Sequence, residues 1–221
     1  MIGLLPAAGN ASRIHGLPKY LLPIPGGYLL KHHLDAMRGA GIGQVMIGAN
    51  PDNMGLIYDY ADPDGVVYLA SQRETMTQTV LSSAYQHESV LFGMPDTYLP
   101  GPYVYLALRA AIEAYAHVAV ALFKARPGQH KQGGMCRVEG GRVVEVVDKP
   151  THNDFEYIWG ALAWQPECWD CLESEDPHVG YGLPRAIAAG MNVQAVMCEG
   201  DFWDCGTETS YFECIRAIAH A

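Results

Sequence analysis

The stretch LLPAAGNASRIHGLPKYLLPI, residues 4–24, ends an apolar run at Ala7, Ala8 and Gly9 and then brings Arg13 and Lys19 into the same turn. Small side chains at such a turn let backbone N–H groups approach phosphate oxygens closely. Arg13 can fork onto those oxygens, and Lys19 can act as a point charge beside them. The stretch has neither the GxGxxG of dinucleotide-binding folds nor the GxxxxGK[ST] of P-loops. On its own it also reads as an ordinary strand-to-loop connection with exposed cations. Two aspartates stand out further along. Asp96 closes the apolar run SVLFGM, at the strand end where α/β proteins bind ligands; its other reading is a cap on the next turn. Asp204 lies between Trp203 and Cys205, where a charge needs a partner, either a metal ion or backbone N–H groups.

The elements that must position these residues are legible from periodicity. MIGLLPA, QVMIGAN, GVVYLA, SVLFGM and HVAVALFKA read as strands. LLKHHLDAMRGAG, MGLIYDYA, TQTVLSSAYQH and YLALRAAIEAYA read as helices, the first with Leu30, Leu34 and Met37 on one face and glycine at its end. Strict βα alternation predicts a parallel sheet covered by helices on both faces. The second half changes character. Gly140 and Gly141 separate two alternating runs, which predicts a hairpin. YIWGALAWQP and NVQAVMCEG read as strands, and PECWDCLE, GLPRAIAAGM and ETSYFECIRAIAHA as helices. The expected fold is α/β, a Rossmann-like mixed sheet, mostly parallel, with an antiparallel hairpin insertion. No boundary is visible, so residues 1–221 are expected to form one domain, with halves 1–125 and 126–221.

Length and charge limit what such a fold could serve. The chain has 221 residues, enough for one full core, and carries a net charge of −10 with only 14 Lys and Arg. That disfavours nucleic acid as partner but not a small phosphorylated ligand held by a few focused cations. No apolar run is long enough for a membrane span, and the N-terminus reads as a first strand, so the expected location is cytoplasmic. Of six cysteines only Cys168 and Cys171 have metal-ligand spacing, and without a second good pair the expectation is reduced thiols, mostly in the core. His32, His33, His117 and His152 are read as surface or core residues, and Trp159 as core or as lining for a ligand pocket.

With the segments in view, the chain resembles the nucleoside-diphosphate-sugar pyrophosphorylases, the sugar-1-phosphate nucleotidyltransferases. PAAGNASRIHGLPKYLLPI is similar to their Gly-rich loop, Pro-Lys and Leu-Pro-Ile. VLFGMPDTYL, GGRVVEVVDKP, YIWGALAWQPECWD and DFWDCGTETSYFECI then resemble four further motifs in family order. The resemblance implies a GT-A-like nucleotidyltransferase fold. It implies a reaction that joins a nucleoside triphosphate to a sugar 1-phosphate and releases pyrophosphate. It also implies Mg²⁺ held by Asp96 and Asp204.

By the same resemblance Arg13 and Lys19 act on the triphosphate, which Ala7, Ala8, Gly9 and Gln78 help to bind. Gly134, Asp148 and Lys149 hold the sugar phosphate. Each has a plainer alternative: Lys149 as a turn lysine, Gln78 as an exposed helix residue, Gly133 and Gly134 as chain-turning residues, Thr207 as a helix cap. The chain departs from the pattern at Ala7–Ala8, where glycines are usual, at Asp148, where glutamate is usual, and at ETMTQTV, before the base-reading helix. The base, the sugar and the oligomeric state stay open, a homo-oligomer included. Two rival readings are a non-catalytic relative that binds nucleotide or nucleotide-sugar, and a sugar transferase, which would usually carry an Asp-x-Asp.

Overall fold

The computed structural model describes residues 1–9, 18–60, 65–71, 73–83, 86–152 and 154–219. Arg13 therefore lies outside the described residues. In chain order the elements are β1 (Ile2–Ala7), β2 (Pro23–Ile24), β3 (Gly27–Tyr28), α1 (Leu29–Gly39), β4 (Val45–Ala49), α2 (Met54–Tyr60), β5 (Val66–Ala70), α3 (Met76–Ser83), β6 (Val90–Gly93), β7 (Thr97–Tyr98) and α4 (Tyr103–Glu113). They continue with β8 (Val118–Lys124), β9 (Gly134–Glu139), β10 (Arg142–Asp148), β11 (Tyr157–Trp164), α5 (Gly182–Ala188), β12 (Val193–Met197), β13 (Trp203–Asp204) and α6 (Glu208–Ala219). PECWDC forms a 3-10 turn, Pro166–Cys171, rather than an α-helix.

The main sheet has nine strands in the order β5-β4-β1-β6-β11-β8-β12-β10-β9. β5, β4, β1 and β6 are parallel, in the 3-2-1-4 order of a doubly wound sheet. The expected hairpin forms from β9 and β10 and closes at Gly140–Gly141. One expectation from βα alternation needs correcting: β8 does not lie beside β6. β11 runs antiparallel between them and pairs with both. Seven of its eight residues are buried, so it takes a central place with both faces covered, and β8 pairs in parallel with β12 instead.

Alternation along the strands sends side chains to two cores. On one face Leu5, Ala7, Ile47, Leu91, Ala121 and Phe123 pack against Leu30, Leu34 and Met37 of α1 and Leu108 and Ile112 of α4. On the other, Leu4, Met46, Phe92, Val120 and Leu122 pack with Val80 of α3 and Leu183 and Ala186 of α5. Two small ladders lie outside the sheet. One of them, β7 with β13, sets Thr97 opposite Asp204 and Tyr98 opposite Trp203. Among the described residues no helix is long and apolar enough to cross a membrane.

Candidate active site

β1 and β6 are neighbours whose connections leave the sheet in opposite directions, and ligands in such sheets bind beyond the carboxyl ends of the strands at that point. A cavity of about 190 Å³ lies there, lined by Pro6, Ala7, Ala8 and Gly9 from the end of β1, Pro95 and Asp96 from beyond β6, and Lys19. Thr75 and Met76, at the N-terminus of α3, complete its far wall. The Thr75 hydroxyl accepts the Gln78 N–H at 3.1 Å and so caps the helix, whose positive dipole end faces the cavity.

A second cavity of about 440 Å³ meets the first at Met76 and Asp96. Gly133 and Gly134 at the start of β9, Asp148 and Lys149 at the end of β10, Trp159 of β11, His178 and Asp204 line it. Gly134 has a steric reason to be glycine: a Cβ there would run into Trp159 Nε1. Lys149 sits at φ 46°, left-handed backbone that a lysine rarely adopts, and its N–H reaches the Gly133 carbonyl at 3.2 Å. Such a conformation costs about 1–2 kcal/mol and persists where its surroundings over-determine it.

Where the cavities meet, the charges converge. Lys19 Nζ stands 3.6 Å from Asp96 Oδ2. The β7–β13 ladder brings Asp204 alongside, and the Cys205 N–H donates to the Asp96 carbonyl at 3.1 Å. Burial pushes the Asp204 carboxyl above the usual aspartate range, and the negative charge of Asp96 pushes it further. The Gly206 N–H, which donates to Oδ1 at 2.8 Å, opposes this, as do Lys19 and Lys149. Beneath the ladder, Arg126 lies 3.2 Å from the centre of the Trp203 ring, and both Arg126 and Gln129 donate to the Phe202 carbonyl.

Most of the expected residues are thus brought together: Ala7, Ala8, Gly9, Lys19 and Asp96 around the first cavity, Gly134, Asp148, Lys149, Asp96 and Asp204 around the second. Gln78 is the exception. It lies in a separate hollow with Leu81, Ser82 and Ser174, and its side-chain carbonyl accepts the Glu74 N–H at 3.2 Å. With the Thr75 cap this ties both ends of Thr-x-x-Gln into the start of α3, a variant of the capping box in which Gln78 takes the N–H of Glu74 instead of that of Thr75. Thr207 likewise caps α6, its hydroxyl accepting the Ser210 N–H at 3.2 Å. Cys168 and Cys171 are buried with their sulfurs against Met191.

Sequence reasoning missed Arg73 and Tyr20 in the first cavity and His178 in the second. The Tyr20 hydroxyl is buried without a hydrogen-bond partner among the described residues, and burial raises its pKa to about 12. His178 Nδ1 accepts the Gly180 N–H, so Nε2 carries the proton toward Asp148 Oδ1 at 3.4 Å. Tyr181 donates to the other Asp148 oxygen at 3.5 Å. Burial lowers the His178 pKa, which keeps the ring neutral in this arrangement.

A doubly wound half-sheet with a cavity at its switch point, extended by a half of mixed strand directions that carries a second cavity, is an open α/β fold of the class that binds ligands at that point. The chain belongs to the MobA-like NTP transferase domain family, whose model matches residues 3–189. Among solved structures it is similar to one described as a glucose-1-phosphate thymidylyltransferase from Bacillus anthracis in complex with sucrose. That match has a TM-score of 0.83 at 14% identity and covers 98% of this chain and 95% of the other. It is also similar to a UDP-glucose pyrophosphorylase complexed with UDP-glucose, with a TM-score of 0.82 at 19% identity, covering 99% and 98%. At these identities the likeness establishes the fold. No curated protein matches the sequence.

Proposed function

We propose that the protein is a Mg²⁺-dependent nucleotidyltransferase that joins a nucleoside triphosphate to a sugar 1-phosphate. The observation that carries this reading is the meeting of two cavities at Asp96, with Lys19 in the first, Lys149 and Asp204 in the second, and Asp204 under the charges of Asp96 and both lysines. The first suits the triphosphate, the second the acceptor. An acceptor phosphate oxygen attacks the α-phosphorus, a new P–O bond forms, the bond to the β-phosphate bridge breaks, and pyrophosphate leaves with its electron pair. The nucleophile is already an anion, so no strong base is required. The work is to align two polyanions and to neutralise the leaving group.

The side chains divide that work. The Ala7–Gly9 turn offers N–H groups to the triphosphate, and the α3 N-terminus faces it with the positive end of the helix dipole. Lys19, with Arg13 from the adjoining segment, supplies positive charge for the departing pyrophosphate. Lys149, fixed by its backbone, holds the acceptor phosphate, and Asp148, held by His178 and Tyr181, faces the acceptor's hydroxyls. Asp96 and Asp204 are the residues that would hold Mg²⁺. They are hard oxygen donors set side by side, and the charge of Asp96 adds to burial in raising the Asp204 carboxyl. When bound, the ion supplies Lewis-acid stabilisation of phosphate oxygens, for which one or two carboxylates plus substrate oxygens suffice.

The test is pyrophosphate release measured over a panel of the five nucleoside triphosphates with Mg²⁺, each with and without sugar 1-phosphates. Release that needs one triphosphate and one acceptor together is expected. Triphosphate binding without release under any combination would favour the non-catalytic reading.

A further inference from the structure

His32 and His33 of α1 have no part in the chemistry above. His33 is fully buried, with Nδ1 2.6 Å from the Tyr105 hydroxyl of α4 and Nε2 2.9 Å from the Thr97 carbonyl. A carbonyl can only accept, so Nε2 carries the ring proton and Nδ1 accepts from Tyr105. Burial drops the His33 pKa to about 3, which leaves the ring neutral and this tautomer in place. His32 Nε2 reaches the Leu99 carbonyl at 2.7 Å, and its ring stacks on Tyr98 with centroids 4.8 Å apart.

Two adjacent side chains of one helix thus grip three consecutive residues, Thr97, Tyr98 and Leu99, directly after Asp96. The first two are the strand that pairs with Trp203 and Asp204. From the other side, the Thr97 hydroxyl donates to the Met94 carbonyl at 2.8 Å and closes the turn around Asp96. The same packing accounts for the glycine in FGMPD: a Cβ on Gly93 would collide with the Tyr105 hydroxyl and come within 3.1 Å of His33 Nδ1.

We propose that His32 and His33 are positioning residues for the Asp96–Asp204 carboxylate pair, fixing the Thr97–Leu99 backbone against α1 and thereby the placing of both carboxylates around a divalent cation. The proposal rests on the reading that these two carboxylates hold Mg²⁺. Groups that orient metal ligands from behind typically contribute about 10–100-fold in metal affinity.

The experiment titrates the full chain with Mn²⁺ alone, read by electron paramagnetic resonance, and records Tm for each variant. His33→Leu should weaken Mn²⁺ binding by about 10–100-fold. His33→Gln, whose amide nitrogen can reach the Thr97 carbonyl, should restore affinity to within about fivefold of the wild type, the remaining loss being the bond from Tyr105. Tyr105→Phe, which removes one hydrogen bond, should weaken binding by about fivefold. If His33→Leu does not fold, His32→Leu and Tyr105→Phe carry the same comparison. Wild-type Mn²⁺ affinity in the folded variants, with only Tm lowered, would overturn the proposal and leave the histidines as structural. Asp96→Asn separates the two levels: if it binds Mn²⁺ as tightly as the wild type, the carboxylate reading itself fails and the histidine proposal falls with it.

Discussion

The two cavities are made of different material. The one beyond β1 and β6 is walled on one side by backbone and short side chains, Pro6 to Gly9, with Tyr20 and Met76 its large side chains and Lys19 and Arg73 its cations beside Glu74 and Asp96. The one beside β9, β10 and β11 has walls of large and polar side chains: Trp159, His178, Gln129, Asp148. Among the described residues its wall holds a buried donor, Trp159 Nε1, that lacks a hydrogen-bond partner. Leaving such a group unmatched costs about 1–3 kcal/mol, which a ligand oxygen would recover. The difference teaches how the work divides. Phosphates common to every triphosphate need N–H groups and cations, which backbone and a few side chains provide. An acceptor must be told from its competitors, and that takes individual side chains.

Several substitutions sharpen or break this contrast. The largest effect belongs where the cavities meet. Asp204→Asn should lower Mg²⁺-dependent pyrophosphate release by about 1,000-fold or more, since a neutral amide is a poor ligand for a hard cation and several kcal/mol of barrier are at stake. Circular dichroism should report an intact fold. Near-normal release would remove Asp204 from the site. A smaller effect is expected in the acceptor wall. Gly134→Ala drives a methyl into Trp159 and should cost about 1–3 kcal/mol in stability. It should also raise KM for the sugar phosphate, with KM for the triphosphate unchanged. A shift in the triphosphate KM instead would mean that the wall belongs to the other ligand.

The smallest effect is on stability without metal. The Asp204 carboxyl is raised above its unfolded value, so the folded state holds that proton more tightly than the unfolded chain does. Its ionisation therefore destabilises the fold at neutral pH. That penalty is fully present above the raised value and fades as pH falls through it toward the ~3.9 of an unfolded aspartate. Metal-free Asp204→Asn should melt above the wild type at pH 7, with the gap closing near pH 4. A lower Tm at pH 7 would mean that the bond from the Gly206 N–H outweighs burial and the Asp96 charge.

How much of this was legible depends on whether the signal is local. The small-residue turn, Asp96 at a strand end and the Gly140–Gly141 hairpin each follow from a few neighbouring residues, and they appear where expected. The Thr75-x-x-Gln78 spacing is equally local, and it caps α3 at the residue for which the resemblance implies a base-reading role. β11 wedged between β6 and β8 could not be read from alternation, because burial across the whole sheet decides the order. His178 against Asp148, and His33 between Tyr105 and Thr97, join residues 30 or more positions apart in chains of side-chain contacts that no window of sequence contains.

The division of labour is tested most directly by measuring KM for both substrates in two variants. Ala8→Leu fills the space beside the triphosphate and should raise KM for the nucleotide by about tenfold or more, the loss of ~1.4 kcal/mol, with Tm and the sugar-phosphate KM unchanged. Lys149→Ala should do the reverse, raising the sugar-phosphate KM by a similar factor and sparing the nucleotide. If both variants shift the same substrate, or if Ala8→Leu lowers Tm while nucleotide affinity stays normal, the two cavities do not hold the two substrates as assigned.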